Sequence, residues 1–265
     1  MSGLSVIVLT KDEEGNIQDC LATVSWADEV IVLDSYSEDR TVELAQMMGA
    51  RIHQRPFRDW GDQRNAALGL ATGDWVLFVD ADERVTPELA EEIKQLLRED
   101  VLGGKAGDSA PKPVGYWIPR KNLIFGRWMR HTGWYPDYQL RLMRRGCARY
   151  DPARPVHELV ILDGAEGCLE NHLIHYNYRN LRQFFERQSR YTDFAAQALF
   201  RQGVQVKWRN FILQPLREFW RRYWTWSGYR DGWLGFLLSV LMAYYELVMY
   251  LRLRWLWAEK DQPGI

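Results

Sequence analysis

Residues 76–83, VLFVDADE, run four apolar side chains straight into three carboxylates separated by one alanine. An unbroken apolar run of this length, rich in valine and phenylalanine, reads as a strand buried on both faces, as in parallel sheets covered by helices. Carboxylates cannot follow it into the core without partners, so the acids mark the point where the strand leaves the interior. In an open α/β sheet the C-terminal ends of parallel strands face the crevice where ligands bind.

The sequence upstream supplies the rest of such a sheet. Leu4–Thr10, LSVIVLT, is a β-branched apolar run, followed by a helical pattern in which Ile17, Leu21 and Val24 share a face. Residues 29–35, EVIVLDS, form a second run, and 41–50, TVELAQMMGA, a second helix closed by Gly49. A short third strand, RIHQRP, leads into WGDQRNAALGLATG, a helical segment ending at Gly73. Strands alternating with helices predict βαβ units and a mostly parallel central sheet. No GxGxxG follows the first strand and no GxxxxGK[ST] occurs, so a phosphate in this crevice is not cradled by a glycine-rich loop. A divalent cation is the remaining way to hold a diphosphate at an acidic strand end. Asp80 and Asp82 project in one direction if the strand continues, Ala81 leaves room for a ligand, and their hard oxygens suit Mg²⁺ or Mn²⁺. The plainer alternative is a pair of solvated acids ahead of the helix TPELAEEIKQLL, with Asp82 or Thr86 as its cap.

Composition bounds the function. With 265 residues, 47% of them hydrophobic, the chain can bury a sizeable core, and a net charge of −1 points to no nucleic-acid partner. Cys20, Cys147 and Cys168 match neither a zinc spacing nor a disulfide framework, which suggests a reducing compartment. The first residues read as a strand and not as a signal peptide, so a cytoplasmic location is expected.

Three stretches in order, SVIVLTKDEE, VLDSYSEDRT and QRNAALGLATGDWVLFVDADE, resemble the nucleotide-sugar-binding half of family 2 glycosyltransferases, which have the GT-A fold. The overall order also resembles the bacterial subgroup of lipopolysaccharide core glucosyltransferases acting on heptose. The resemblance implies a GT-A domain over residues 1–180, with a donor-binding half (1–100) and an acceptor half (101–180), followed by a helical appendage over 181–265. It implies a nucleoside diphosphate sugar, favouring UDP, as donor, a glycan or glycolipid hydroxyl as acceptor, and direct displacement with inversion. Thr10, Lys11 and Glu13 would border the nucleoside pocket, and Asp34 would bond the uracil or ribose. Asp39 and Thr41 would shape the next loop or cap its helix. Arg64 would reach the diphosphate unless it is a solvated helix arginine. Asp80 and Asp82 would bind the ribose and the metal, with His175 completing the metal's coordination or serving a structural role.

The base is read from RPVHELVI, residues 154–161: Glu158 is the first choice and Asp137, in WYPDYQLR, the second. The family's usual Glu-Asp pair is replaced here by His157-Glu158, and both residues could also cap or pair locally. Residues 115–146 are rich in aromatic side chains and arginine, a composition suited to sugars and anions as well as to ordinary packing. Most of the 13 tryptophans fall at or after Trp117. The apolar run from Trp233 to Tyr245 is shorter than a spanning helix wants. Arg217, Arg221 and Arg222 with Trp220, Trp224 and Trp226 suggest peripheral attachment to the inner face of the plasma membrane, or else a helical hairpin packed on the rest of the protein or a second subunit. Two other classes stay open: an inactive membrane-bound scaffold, and a sugar nucleotidyltransferase. The latter usually has a glycine-rich basic N-terminal loop, which VIVLTKDEEGN does not supply, and it would release free pyrophosphate.

Overall fold

A computed structural model describes residues 3–102, 112–151 and 160–260. Strands β1 (Leu4–Thr10), β2 (Glu29–Asp34), β3 (Arg51–Gln54) and β4 (Trp75–Asp80) alternate with helices α1 (Ile17–Ala22), α2 (Thr41–Met47) and α3 (Trp60–Leu68). They pair in the order β3-β2-β1-β4, every pair parallel. All seven residues of β1 are buried because successive side chains enter different cores. Val6, Val8, Val32 and Leu77 pack with Ile17 and Leu21 of α1, whereas Ile7, Leu9, Ile31 and Phe78 pack with Ala67 of α3. That two-sided burial is why these strands read as continuous apolar runs. Gly73 is required by the close approach of chain to chain: a Cβ there would lie 2.6 Å from the Gly3 carbonyl oxygen. The register sets Thr10 opposite Asp34 and Leu9 opposite Asp80, bringing three candidate residues to one end of the sheet.

After β4 the chain turns through Ala81 and Asp82 into β5 (Glu83–Val85) and α4 (Pro87–Val101). Thr86 caps α4, its hydroxyl accepting from Leu89 N at 3.2 Å, and Pro87 occupies the first turn. Leu89, Ile93 and Leu97, spaced by four, bury one face of α4. The remaining strands are β6 (Pro113–Ile124), β7 (Arg127–Trp128), β8 (Asp137–Arg144), β9 (Ala148–Tyr150), β10 (Val160–Leu162), β11 (Ala165–Cys168) and β12 (Leu173–Tyr178). β8 lies antiparallel to both β4 and β6, and β12 antiparallel to β5. The first four strands are parallel throughout, β11 also pairs parallel with β6, and the whole sheet is therefore mixed and not mostly parallel. This α/β sheet with its helical C-terminal region is the expected fold class.

The chain divides into two compact units, one of residues 1–121 and 137–175, the other of 122–136 and 176–265. Residues 122–136, grouped with the acceptor half on sequence grounds, cluster with the helices. In the second unit α5 (Leu181–Arg201), α6 (Asn210–Trp220) and α7 (Gly232–Lys260) carry the structure. Ile124 and Met129 pack with Phe184, Leu234 and Leu238 in its core. Glu246 does not interrupt α7, whose 29 residues extend about 43 Å. With the turn before it, α7 is the one helix among the described residues long and apolar enough to cross a membrane by length and composition, and a third of its apolar window is buried in protein.

Candidate functional site

The acidic strand end is held by arginines from distant parts of the chain. Glu83, fully buried, turns back so that Oε2 accepts from Asp80 N at 2.9 Å, while Oε1 accepts from Arg120 and Arg141, each at 3.0 Å. The Asp80 carboxylate accepts from both terminal Arg141 nitrogens, Nη1 at 3.3 Å and Nη2 closer still, and from Arg64 at 3.3 Å. Arg120 in turn donates through Nε and Nη2 to Asp137, at 2.9 and 2.6 Å. Three guanidinium groups thus interlock with three carboxylates. Each buried ion on its own costs several kcal/mol of desolvation, so the cluster persists only because its charges meet. Burial would raise the Asp80 carboxyl, but the Arg141 and Arg64 charges outweigh it and hold the group well below the ordinary carboxylate range. Arg64 is no solvated helix residue: it is buried, with its guanidinium 5.1 Å from the centre of the Phe78 ring.

Asp82 sits in the turn beyond β4 and does not continue the strand, so the same-side projection expected for Asp80 and Asp82 is replaced by a division. Asp80 faces the arginines; Asp82 faces His175, with Oδ1 3.6 Å from Nε2. His175 is delivered by the pairing of β12 with β5, where it lies opposite Glu83. No cluster of three or more potential metal ligands occurs among the described residues. A two-residue site still fits a small divalent cation, which keeps several waters and takes further oxygens from a bound diphosphate. Asp80, engaged by two arginines, is better suited to positioning than to ligating. The helix cap is Thr86, so the capping alternative for Asp82 is not what the structure shows.

A second cluster surrounds Asp34, which is fully buried. Its Oδ1 accepts from Thr10 Oγ1 at 3.0 Å and Ser37 Oγ at 2.5 Å, and Oδ2 from Ser37 N at 2.9 Å and Gln54 Nε2 at 3.1 Å. Burial raises its carboxyl, and these hydrogen bonds more than reverse the effect, leaving it below its usual range. With four donors already in place, Asp34 braces the end of β2 first, and a base or ribose group would have to displace one of them. The loops after β1 and β2 are laced reciprocally: Asp12 N to Ser37 Oγ at 2.8 Å, Glu38 N to Asp12 Oδ1 at 2.8 Å, Glu14 N to Asp39 Oδ2 at 3.0 Å. Lys11 donates to Tyr36 O at 2.6 Å, and Glu13 accepts from Asn16 at 2.6 Å while its amide reaches Thr41 Oγ1. Asp39 accepts from Thr41 N at 2.9 Å, so this pair closes the loop.

Thr10, Asp34, Arg64 and Asp80 gather at one sheet end, and Asp82 with His175 lies one turn beyond Asp80. Asp137 is drawn into the arginine cluster. Glu158 and His157 lie outside the described residues. Sequence reasoning passed over Glu83, Arg120 and Arg141: the alternation Tyr138, Leu140, Leu142 reads Arg141 as the polar phase of a strand, and only the fold buries it. In the C-terminal region Arg222 is not a surface cation. It donates to Glu218 at 2.6 Å and to Thr132 O at 2.9 Å, and lies over the Trp134 and Trp226 rings.

A βαβ half-sheet whose strand ends gather braced acids defines an α/β protein with the ligand-accepting sheet end of its class. Residues 5–148 match the model of glycosyl transferase family 2, and the chain belongs to that family. It is 25% identical to the lipopolysaccharide core biosynthesis glycosyltransferase LpsC of Rhizobium meliloti, over 99% of this chain and 96% of that protein. It is 27% identical to an uncharacterized glycosyltransferase of Rickettsia typhi, over 96% of this chain and 87% of that one. Among solved structures, glucosyl-3-phosphoglycerate synthase from Mycobacterium tuberculosis in complex with phosphoglyceric acid is similar, at 20% identity and a TM-score of 0.46, covering 77% of this chain and 81% of that one.

Proposed function

We propose that this glycosyltransferase moves a hexosyl group from a nucleoside diphosphate sugar, with UDP favoured, to a hydroxyl of a cell-surface glycan or lipid-linked acceptor, with metal dependence and inversion. The Asp82–His175 pair beside the arginine-held Asp80, at the ligand end of β4, carries this reading. Likeness to the Rhizobium lipopolysaccharide core enzyme over nearly the whole chain supports a lipopolysaccharide-type acceptor. Asp82 and His175 would hold Mg²⁺ or Mn²⁺, which when bound supplies positive charge against the diphosphate.

In the proposed reaction the acceptor oxygen attacks the anomeric carbon as the bond from that carbon to the diphosphate oxygen breaks, and the electron pair leaves with the nucleoside diphosphate. One such displacement inverts the anomeric centre. The hydroxyl proton goes to a carboxylate. Asp137 is paired with Arg120 and accepts from Gln139 at 2.9 Å, so its oxygens are already engaged. Glu158 is the proposed base. Asp80, oriented by Arg141 and Arg64, would receive a donor hydroxyl without moving.

Peripheral membrane contact, on the inner face of the plasma membrane, is proposed for α6 and the residues flanking it. Trp208, Ile212, Leu216, Trp220 and Trp224 follow one another at intervals of four and are all exposed, with Arg209, Arg217 and Arg221 exposed beside them. Thermal shift with UDP-sugars, with and without Mn²⁺ or Mg²⁺, tests the catalytic reading. Metal-dependent stabilisation of the wild type, lost in Asp82→Ala, is expected. A folded wild type that no donor stabilises would overturn it in favour of a binding or scaffold role, and free pyrophosphate as product would favour a nucleotidyltransferase.

A further inference from the structure

The second unit contains a cavity of about 770 Å³ whose walls include Arg127, Trp128, Arg130, Tyr135, Arg230 and Asp231. This volume is of the size that encloses a small organic ligand. Among the described residues, the one carboxylate of the lining, Asp231, is engaged by the 130–132 loop. Asp231 accepts from His131 N at 3.0 Å, Thr132 Oγ1 at 2.8 Å and Arg130 N at 3.3 Å, and faces His131 Nδ1 at 3.1 Å. Its charge is thus consumed in fixing the backbone of the 130–132 loop. Arg127, Arg130 and Arg230 are exposed, and none forms an ion pair with a carboxylate among the described residues. Three like charges around one cavity give it a positive potential, and an anion entering between them would be attracted. The Arg130 guanidinium lies 4.3 Å from the centre of the Trp128 ring, and Trp128 and Tyr135 meet edge to face at 5.5 Å. The rings present apolar area suited to the C–H face of a sugar, and the arginines present the forked donors suited to phosphate or carboxylate.

We propose that this cavity binds a saccharide bearing an anionic group. Its occupant is the charged part of the acceptor glycan, an assignment that rests on the transferase reading above. Calorimetric titration of the full chain with glucose 6-phosphate, glucuronate, glucose and inorganic phosphate tests it, on the wild type and on the Arg127→Gln/Arg230→Gln double variant. At least one charged sugar should bind the wild type more tightly than glucose or phosphate, and which one it is distinguishes phosphate from carboxylate. The double variant should lose about tenfold or more of that affinity while keeping its melting temperature. Equal binding of charged and neutral sugars, inorganic phosphate binding as tightly as a sugar phosphate, or an unaffected double variant would each overturn the proposal. Donor-dependent stabilisation on the same samples reports separately on catalysis. Its absence, with charged-sugar binding retained, would sink the transferase reading and the acceptor assignment while supporting the anionic-saccharide site.

Discussion

The acidic end of β4 and the cavity of the second unit each contain three arginines, but the two regions use them in opposite ways. At β4, Arg64, Arg120 and Arg141 are wholly or largely buried and each meets a carboxylate of Asp80, Glu83 or Asp137. In the cavity, Arg127, Arg130 and Arg230 are exposed, while the nearby Asp231 spends its acceptors on a loop. Buried charge has to be matched within the fold because water is not there to solvate it. Exposed charge can wait for a ligand. Removing one charge should therefore damage the first region as structure and the second only as a binding surface.

The sharpest attempt to break this contrast is Glu83→Gln, which leaves Arg120 and Arg141 short of a buried countercharge. A loss of about 3–5 kcal/mol is expected in denaturant unfolding, and a loss below about 1 kcal/mol would show that the cluster does not hold the strand end. Asp82→Ala comes next: transfer should fall roughly 100-fold or more with much less loss of stability, because Asp82 lies outside the arginine interlock. Replacing Asp34 by Asn turns an acceptor-only group into one that also donates, toward neighbours that are already donors. About 1–3 kcal/mol should be lost, visible as a lower unfolding midpoint with unchanged steepness.

Acid titration probes the same region more gently. The Asp80 carboxyl is depressed in the folded state, so the unfolded chain binds its proton first as pH falls. Its contribution is complete at neutral pH, begins to fade near the unfolded value of about 4, and is lost as pH drops toward the folded value. Asp80→Asn should be less stable than wild type at pH 7 and closer to it at pH 3, and parallel pH curves would contradict the pairing. The smallest expected effect is that of Arg127→Gln on stability, within about 0.5 kcal/mol; a larger loss would erase the distinction between the two regions.

Much of the first unit was legible because each signal was local. The apolar runs of β1, β2 and β4 report burial on both faces, and Thr86-Pro87 ahead of Leu89, Ile93 and Leu97 announces α4 and its buried stripe. The sequence also singled out the acids at the end of β4 as candidate site residues. It did not separate the tasks of Asp80, Asp82 and Glu83, because their partners Arg120, Arg141 and His175 arrive from 37 to 93 positions away, through strand pairings that no local pattern encodes. The same limit misplaced Arg222, whose neighbours Thr132 and Trp134 come from a segment about 90 residues earlier.

The sequence by itself determined which segments form the βα half-sheet, where its ligand end lies, and that this end is acidic and lacks a glycine-rich loop. These follow from burial periodicity and turn chemistry, which act within a dozen residues. Only the tertiary structure decided that Asp80 is braced by arginines while Asp82 meets a histidine, that Asp34 is already saturated with donors, and that Arg127, Arg130 and Arg230 line one cavity. Charge pairing depends on distance in space, and the strand register between remote segments sets that distance.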